Sequence, residues 1–220
     1  AWAVTGVVLT TALGLLSGVQ VMTSQAIGKG READTGAILR RGLAYATWIS
    51  VACALFLAVT GGPMLVAFDM APGLAEGATL VLQVQAVSLV PIIVADAGLF
   101  WLEAHGRAIP GMVAMWLANI VNLIVNLWLV PGDNMFGVHG AAASAWATFA
   151  SRLFLLVVLA VVILRWRRAR ELGVLSPAPR DPAAARAMRA VGYGAAVSYF
   201  IESLAFSAMA VGMTLAAPAT

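Results

Sequence analysis

Residues 110–130 read PGMVAMWLANIVNLIVNLWLV, an unbroken run without a charged side chain. A helix needs about 20 mostly apolar residues to cross roughly 30 Å of hydrocarbon, so this run can span a bilayer. Pro131-Gly132-Asp133-Asn134 follows at once, a strong turn signal. Working outward, uncharged runs also cover 1–27, ended by Gly28-Lys29-Gly30-Arg31, and 42–66, closed by Gly61-Gly62-Pro63. Three further runs each carry one charged side chain: 78–102 with Asp96, 137–164 with Arg152, and 190–217 with Glu202. The expected fold is an all-α polytopic membrane protein with six transmembrane helices.

The whole composition agrees. Of 220 residues, 62% are hydrophobic and 10% charged, and mean hydropathy is +0.94; a soluble domain has roughly 45–50% apolar and about 25% charged residues. Soluble-enzyme and nucleic-acid-binding readings are excluded by this, although the pI is 9.6. The single Cys53 leaves no disulfide framework or cysteine metal site. The run 1–27 lacks the positively charged start of a signal peptide and exceeds its usual apolar core.

Lys and Arg are retained on the cytoplasmic side of a membrane. Alternate connections carry Lys29, Arg31, Arg40 and Arg41; then Arg107; then seven arginines from Arg165 to Arg189, making twelve of thirteen basic side chains. The intervening connections hold Asp69, Glu76 and Asp133 and no base. The chain is therefore expected to start on the outer side. It opens inside an apolar run and stops at Pro218-Ala219-Thr220 after a span, which reads as an internal piece of a longer protein. Trp2, Trp101, Trp128 and Trp166 fall near span ends and read as an interfacial aromatic belt.

Ionisable groups at membrane depth are by default functional candidates. Glu202 is the first choice for ion coupling or substrate contact, against a structural hydrogen bond to a neighbouring helix; Gly192 and Gly194 would let its helix pack closely or bend. Asp96 is a second carboxylate, either inward-facing or solvated near the cytoplasmic end. Asn119, Asn122 and Asn126 fall at i, i+3 and i+7, on one helical face, either lining a cavity or bonding helix to helix. Arg152 reads as a structural clamp that needs a carboxylate or carbonyl partner. Glu103, His105 and Arg107 read as interfacial charge, and His139 as a loop residue. The two histidines lie on opposite sides of the membrane, so no shared metal site is expected, and the Gly28-Lys29-Gly30 and Gly137-Val138-His139-Gly140 loops lack the strand-to-helix setting of a nucleotide loop.

Several stretches together resemble the multidrug and toxic compound extrusion family of cation-coupled efflux transporters. Ser24-Gln25-Ala26-Ile27-Gly28-Lys29-Gly30-Arg31-Glu32 is similar to the end of that family's second helix. Leu102-Glu103-Ala104-His105-Gly106-Arg107, with Pro110, resembles the turn between its fourth and fifth. Val121 to Val130, then Gly132 and Gly137 to Ala142, resembles its fifth helix and the entry to its sixth, and Ser151-Arg152 occurs where many members have that pair. Val191-Gly192-Tyr193-Gly194 through Phe200-Ile201-Glu202 is similar to the start of its seventh helix, with the acidic residue of the NorM-like branch. Gly194 stands where proline is usual, His139 replaces a small residue, and Asp96 has no family counterpart.

The resemblance implies part of a twelve-helix transporter of two six-helix bundles around a central cavity. Residues 1–164 would be helices two to six of the N-terminal bundle, 165–189 the cytoplasmic inter-bundle linker, and 190–220 the first helix of the C-terminal bundle, the remaining helices belonging to the parent chain. It implies an antiporter rather than an enzyme, exporting amphipathic cationic organic compounds for Na⁺ or H⁺ from a bacterial inner membrane, with no other cofactor. A lipid-linked oligosaccharide flippase of related architecture would want a more basic cavity, and a membrane-embedded enzyme would want His, Asp or Ser motifs at matching depth.

Overall fold

In the computed structural model, which describes residues 2–67, 72–132, 137–176 and 181–216, the chain folds into six α-helices: α1 (Trp2–Gly28), α2 (Thr35–Ala67), α3 (Pro72–Ala104), α4 (Ala108–Leu129), α5 (Gly140–Arg165) and α6 (Pro182–Ala216). Short 3-10 turns occupy Glu32–Asp34 and Arg167–Ala169. Asp69, Asp133, Arg180 and Pro218 to Thr220, used above for orientation and ends, lie outside the described residues, as do the side chains of Trp2 and Glu76. Among the described residues, five helices are long and apolar enough to cross a membrane: α1 through α5. The protein is thus a multi-pass membrane chain.

The helices pack with small residues inward. Ala46, Ala86, Ala95, Ala97, Ala114, Ala143 and Ala147 are buried, while Trp48, Val59, Ile109, Trp116 and Leu127 are exposed on the outer faces. Lipid tails are as apolar as leucine, so helices gain little by hiding large side chains; close backbone approach through small residues drives association instead. The outward faces then supply the apolar belt that hydrocarbon requires.

Helix α3 is the centre. It packs against α2, α5 and α1, and α5 in turn carries α4. Trp101, Leu102, Leu89 and Ile93 of α3 are fully buried. Helix α6 lies along α1 in an antiparallel seam where backbones nearly touch. A Cβ on Gly14 would strike the Ala196 backbone, one on Gly18 the Met188 carbonyl, and one on Gly192 the Leu15 carbonyl.

Helix bounds differ from expectation at three places, of which the early start of α3 at Pro72 moves no basic residue. The expected linker 165–189 ends early, because α6 begins at Pro182: Asp181 Oδ1 accepts the Ala184 N–H at 2.9 Å and caps it, with Pro182 in the first helical position. Helix α2 starts at Thr35 and continues through Pro63 to Ala67, so Arg40 and Arg41 lie inside a helix rather than in a loop. Long arginine side chains at a helix end can reach the interface, so they do not stop a spanning helix.

Candidate functional site

Arg152 sits at the middle of the 26-residue α5 and is partly buried, where a charge is costly unless it finds acceptors. It finds them on α3: its Nη1 donates to Ser88 Oγ at 2.5 Å and to Gln85 Oε1 at 3.4 Å. Ser88 donates back to the Gln85 carbonyl at 2.8 Å. Both α3 residues are buried. The partners are thus a hydroxyl and a side-chain amide oxygen, not the carboxylate or backbone carbonyls expected, and among the described residues no acid lies within ion-pair distance of Arg152. Asp96, half-buried farther along α3, interacts with Arg152 only electrostatically.

The other side of α5 extends this layer. Buried Ser151 accepts from Asn122 Nδ2 of α4 at 3.5 Å and donates to the Thr148 carbonyl at 2.9 Å. Asn126 donates to the Asn122 carbonyl and amide oxygen at 2.9 and 3.1 Å. Asn119 leaves the stripe: it is exposed and turns back to the Met115 carbonyl at 3.0 Å. A polar layer therefore crosses α3, α5 and α4 in otherwise apolar surroundings. Gln85 and Ser88 were not singled out from the sequence, and Ser151 only as part of the Ser151-Arg152 pair. Their signal was available, since a mid-span arginine calls for polar residues at matching depth, and Gln85 and Ser88 stand at i and i+3.

Glu202 belongs to a different place. Its neighbour Ser203 shares a 2.7 Å hydrogen bond with Thr10 of α1, within the seam. One residue earlier is about 100° around the helix, and Glu202 is accordingly exposed on the flank of α6. Among the described residues it has no ion-pair partner. The structure does not bring Glu202 together with Asp96 or the asparagines.

The turn after α3 differs from the expected row of interfacial charges. Trp101 is not a belt residue: it is fully buried and donates Nε1–H to the Thr35 carbonyl at 3.0 Å. His105 pairs through Nδ1 with the Trp101 carbonyl at 2.8 Å and packs between Trp101 and Trp166, with ring centroids 4.3 and 5.3 Å away. Its Nε2 is buried without a partner. Burial lowers the imidazole pKa, against the raising effects of the Trp101 carbonyl and Glu32. The Arg107 guanidinium lies 4.8 Å over Trp166, and Glu103 accepts from Gln20 at 3.3 Å. Trp128 is exposed, as a belt residue should be, and His139 is an exposed residue at the start of α5.

The connector after α5 is tied to the start of α2. Gly36 N–H donates to the Leu172 carbonyl at 2.8 Å, Arg40 Nη1 to the Val174 carbonyl at 2.7 Å and to that of Gly173, and Arg168 pairs with Glu32. Gly36 has no room for a Cβ against the Leu172–Gly173 backbone.

Comparison with known proteins gives three findings. The sequence profile of the family described as MatE matches residues 1–128. The chain is 47% identical over 209 residues to a protein named "Probable multidrug resistance protein NorM" from Caulobacter vibrioides, covering 95% of this chain and 44% of that protein. A solved structure described as the inward-facing conformation of a multidrug resistance MATE family transporter of the MOP superfamily superimposes with a TM-score of 0.80 over 92% of this chain and 45% of its own, at 17% identity. At that identity the likeness is one of fold.

Proposed function

Since the chain belongs to the MatE family of multidrug and toxic compound extrusion transporters, we propose that it forms the N-terminal bundle and first C-terminal helix of a secondary antiporter. That antiporter exports amphipathic cationic organic compounds across the bacterial inner membrane in exchange for Na⁺ or H⁺. No bond is made or broken; two bundles rock about a central site. In this reading residues 1–164 and 190–220 belong to different bundles, and the helices that complete both lie elsewhere in the parent protein.

One observation carries the coupling role of Glu202: a carboxylate within a membrane helix that is exposed on the flank of α6 and has no ion-pair partner among the described residues. An acid at membrane depth calls for a cation or a proton. Position supports it too, because the seam holds the neighbouring Ser203 on α1 and directs Glu202 away from it. Asp96 is the second acid, held within electrostatic reach of Arg152. Asn122 and Asn126 line the α4 side of the polar layer, while Arg152 positions α3 on α5.

The test is drug efflux from cells expressing the full-length protein, wild type against Glu202→Gln. The expected result is loss of ion-driven efflux by about a hundredfold, the scale on which intramembrane acids act as coupling sites when several kcal/mol of charge interaction are removed. Unchanged efflux with unchanged ion coupling would end the assignment of Glu202.

A further inference from the structure

At the cytoplasmic ends of α1 and α2, where the first turn of α6 arrives, there is a cavity of about 290 Å³. Its polar lining is Gln25, Lys29, Arg31 and Arg41, with Asp34 and Asp181. Met22, Ala26 and Ile38 form an apolar side. Three cations against two carboxylates leave one net positive charge. The two ion pairs inside it are loose: Arg31 to Asp34 at 3.7 Å, both largely exposed, and Arg41 to Asp181 at 3.9 Å. The exposed Arg31–Asp34 pair contributes little, and the partly buried Arg41 holds Asp181 only at the limit of an ion pair, so both arginines can turn to a better acceptor. Lys29 has no ion-pair partner among the described residues.

We propose that this cavity binds the phosphate of an anionic phospholipid headgroup from the cytoplasmic leaflet. The chemistry is phosphate recognition by charge-assisted hydrogen bonds, for which lysine and forked arginine donors are suited. The source is a lipid because of where the cavity lies. Gln25 lies in the last turn of a spanning helix, Lys29 follows its end, and Arg41 is in the early turns of another, so the cations sit at headgroup depth. The apolar side formed by Met22, Ala26 and Ile38 continues toward the hydrocarbon, where the glycerol and first methylenes of a lipid belong. One net positive charge matches one phosphodiester. The surface potential of an anionic leaflet adds attraction for juxtamembrane basic groups. Because Asp181 and Ala184 come from α6 and the rest from α1, α2 and the turn between them, a bound headgroup would bridge the seam between α6 and the five-helix body. This inference depends on the membrane position of the chain and not on what it exports.

The test is native mass spectrometry of the full-length protein in mild detergent, with added phosphatidylglycerol or phosphatidylcholine of identical chains. Wild type is expected to retain phosphatidylglycerol in preference, and Lys29→Gln and the double variant Lys29→Gln/Arg31→Gln to hold it about tenfold more weakly, as loss of a charged hydrogen bond predicts. Both positions are exposed on a turn, so folding is preserved and a thermal melt verifies it. Arg167→Gln/Arg170→Gln, in the exposed connector outside the cavity, should retain the lipid like wild type. Equal retention of phosphatidylcholine would overturn the proposal, as would equal weakening by the connector variant, which would mean bulk charge attraction only. Displacement of the lipid by millimolar inorganic phosphate would overturn it in favour of a free-anion pocket.

Discussion

At the scale of single residues, position in the sequence and role in the structure part company most clearly at Trp101 and His105. Both lie where an aromatic or charged group would be placed at an interface, yet Trp101 is fully buried and His105 is enclosed by two indoles. Burial holds the His105 imidazole below its usual range. The unfolded chain therefore takes up this proton first as pH falls through about 6.5, and the folded state loses stability from there down until its own lower pKa is passed. Melting temperature in detergent should drop between about pH 7.5 and 5.5, and His105→Gln should flatten that dependence; an unchanged slope would place the titration elsewhere. Arg152 behaves differently, being a donor with neutral partners. Arg152→Ala takes a charged donor from buried Ser88 and Gln85, which keep only their hydrogen bonds to each other, and a loss of about 1–3 kcal/mol is expected in a reversible unfolding assay. A loss of transport at wild-type stability would instead give Arg152 a direct part in transport.

At the scale of elements, the seam between α1 and α6 is governed by glycine. Gly14, Gly18 and Gly192 stand where a Cβ would enter the opposite backbone, and Thr10 and Ser203 meet farther along the same line. Replacing Gly192 by Leu should force the helices apart and destabilise the protein by about 1–3 kcal/mol, as overpacking does. In a Cys53→Ser background, the pair Thr10→Cys and Ser203→Cys should oxidise readily, and Gly192→Leu should slow that cross-link. Equally fast cross-linking in both would show that the helices do not depend on glycine to approach. The start of α6 was legible in Asp181-Pro182, a cap residue followed by a proline at the first helical position. Counting charges hid it, because Arg186 and Arg189 read as loop and are in fact on the first turns of the helix.

At the scale of the whole molecule, the charge asymmetry predicts a single orientation. In the Cys53→Ser background, Lys29→Cys should be shielded from a membrane-impermeant maleimide in intact cells and labelled after permeabilisation, whereas Gly137→Cys should be labelled from outside. The reverse pattern would invert the topology. The chain spans 44% of the length of the Caulobacter relative, and within it α6 is joined to the other five helices along α1 and again by Asp181 near Arg41. The two bundles of the proposed transporter would thus share a contact that runs from Thr10 to the cavity lined by Lys29, Arg41 and Asp181.

The sequence by itself determined that this is a helical membrane chain, roughly where its spans lie, which connections carry the basic charge, and which ionisable groups are stranded at depth. These follow from transfer free energies and chain length, which are properties of each segment alone. It also carried the family resemblance, because motif order survives in the chain. Only the tertiary structure decided partners: that Arg152 rests on Ser88 and Gln85, that Asn119 departs from Asn122 and Asn126, that Trp101 is core, and that Glu202 lies off the seam while Ser203 lies in it. Inside a bilayer every helix is apolar all round, so the periodicity that identifies the inner face of a soluble helix is weak. Which face turns inward is settled by small residues and polar contacts between helices distant in sequence, and those pairings are not written in any one segment.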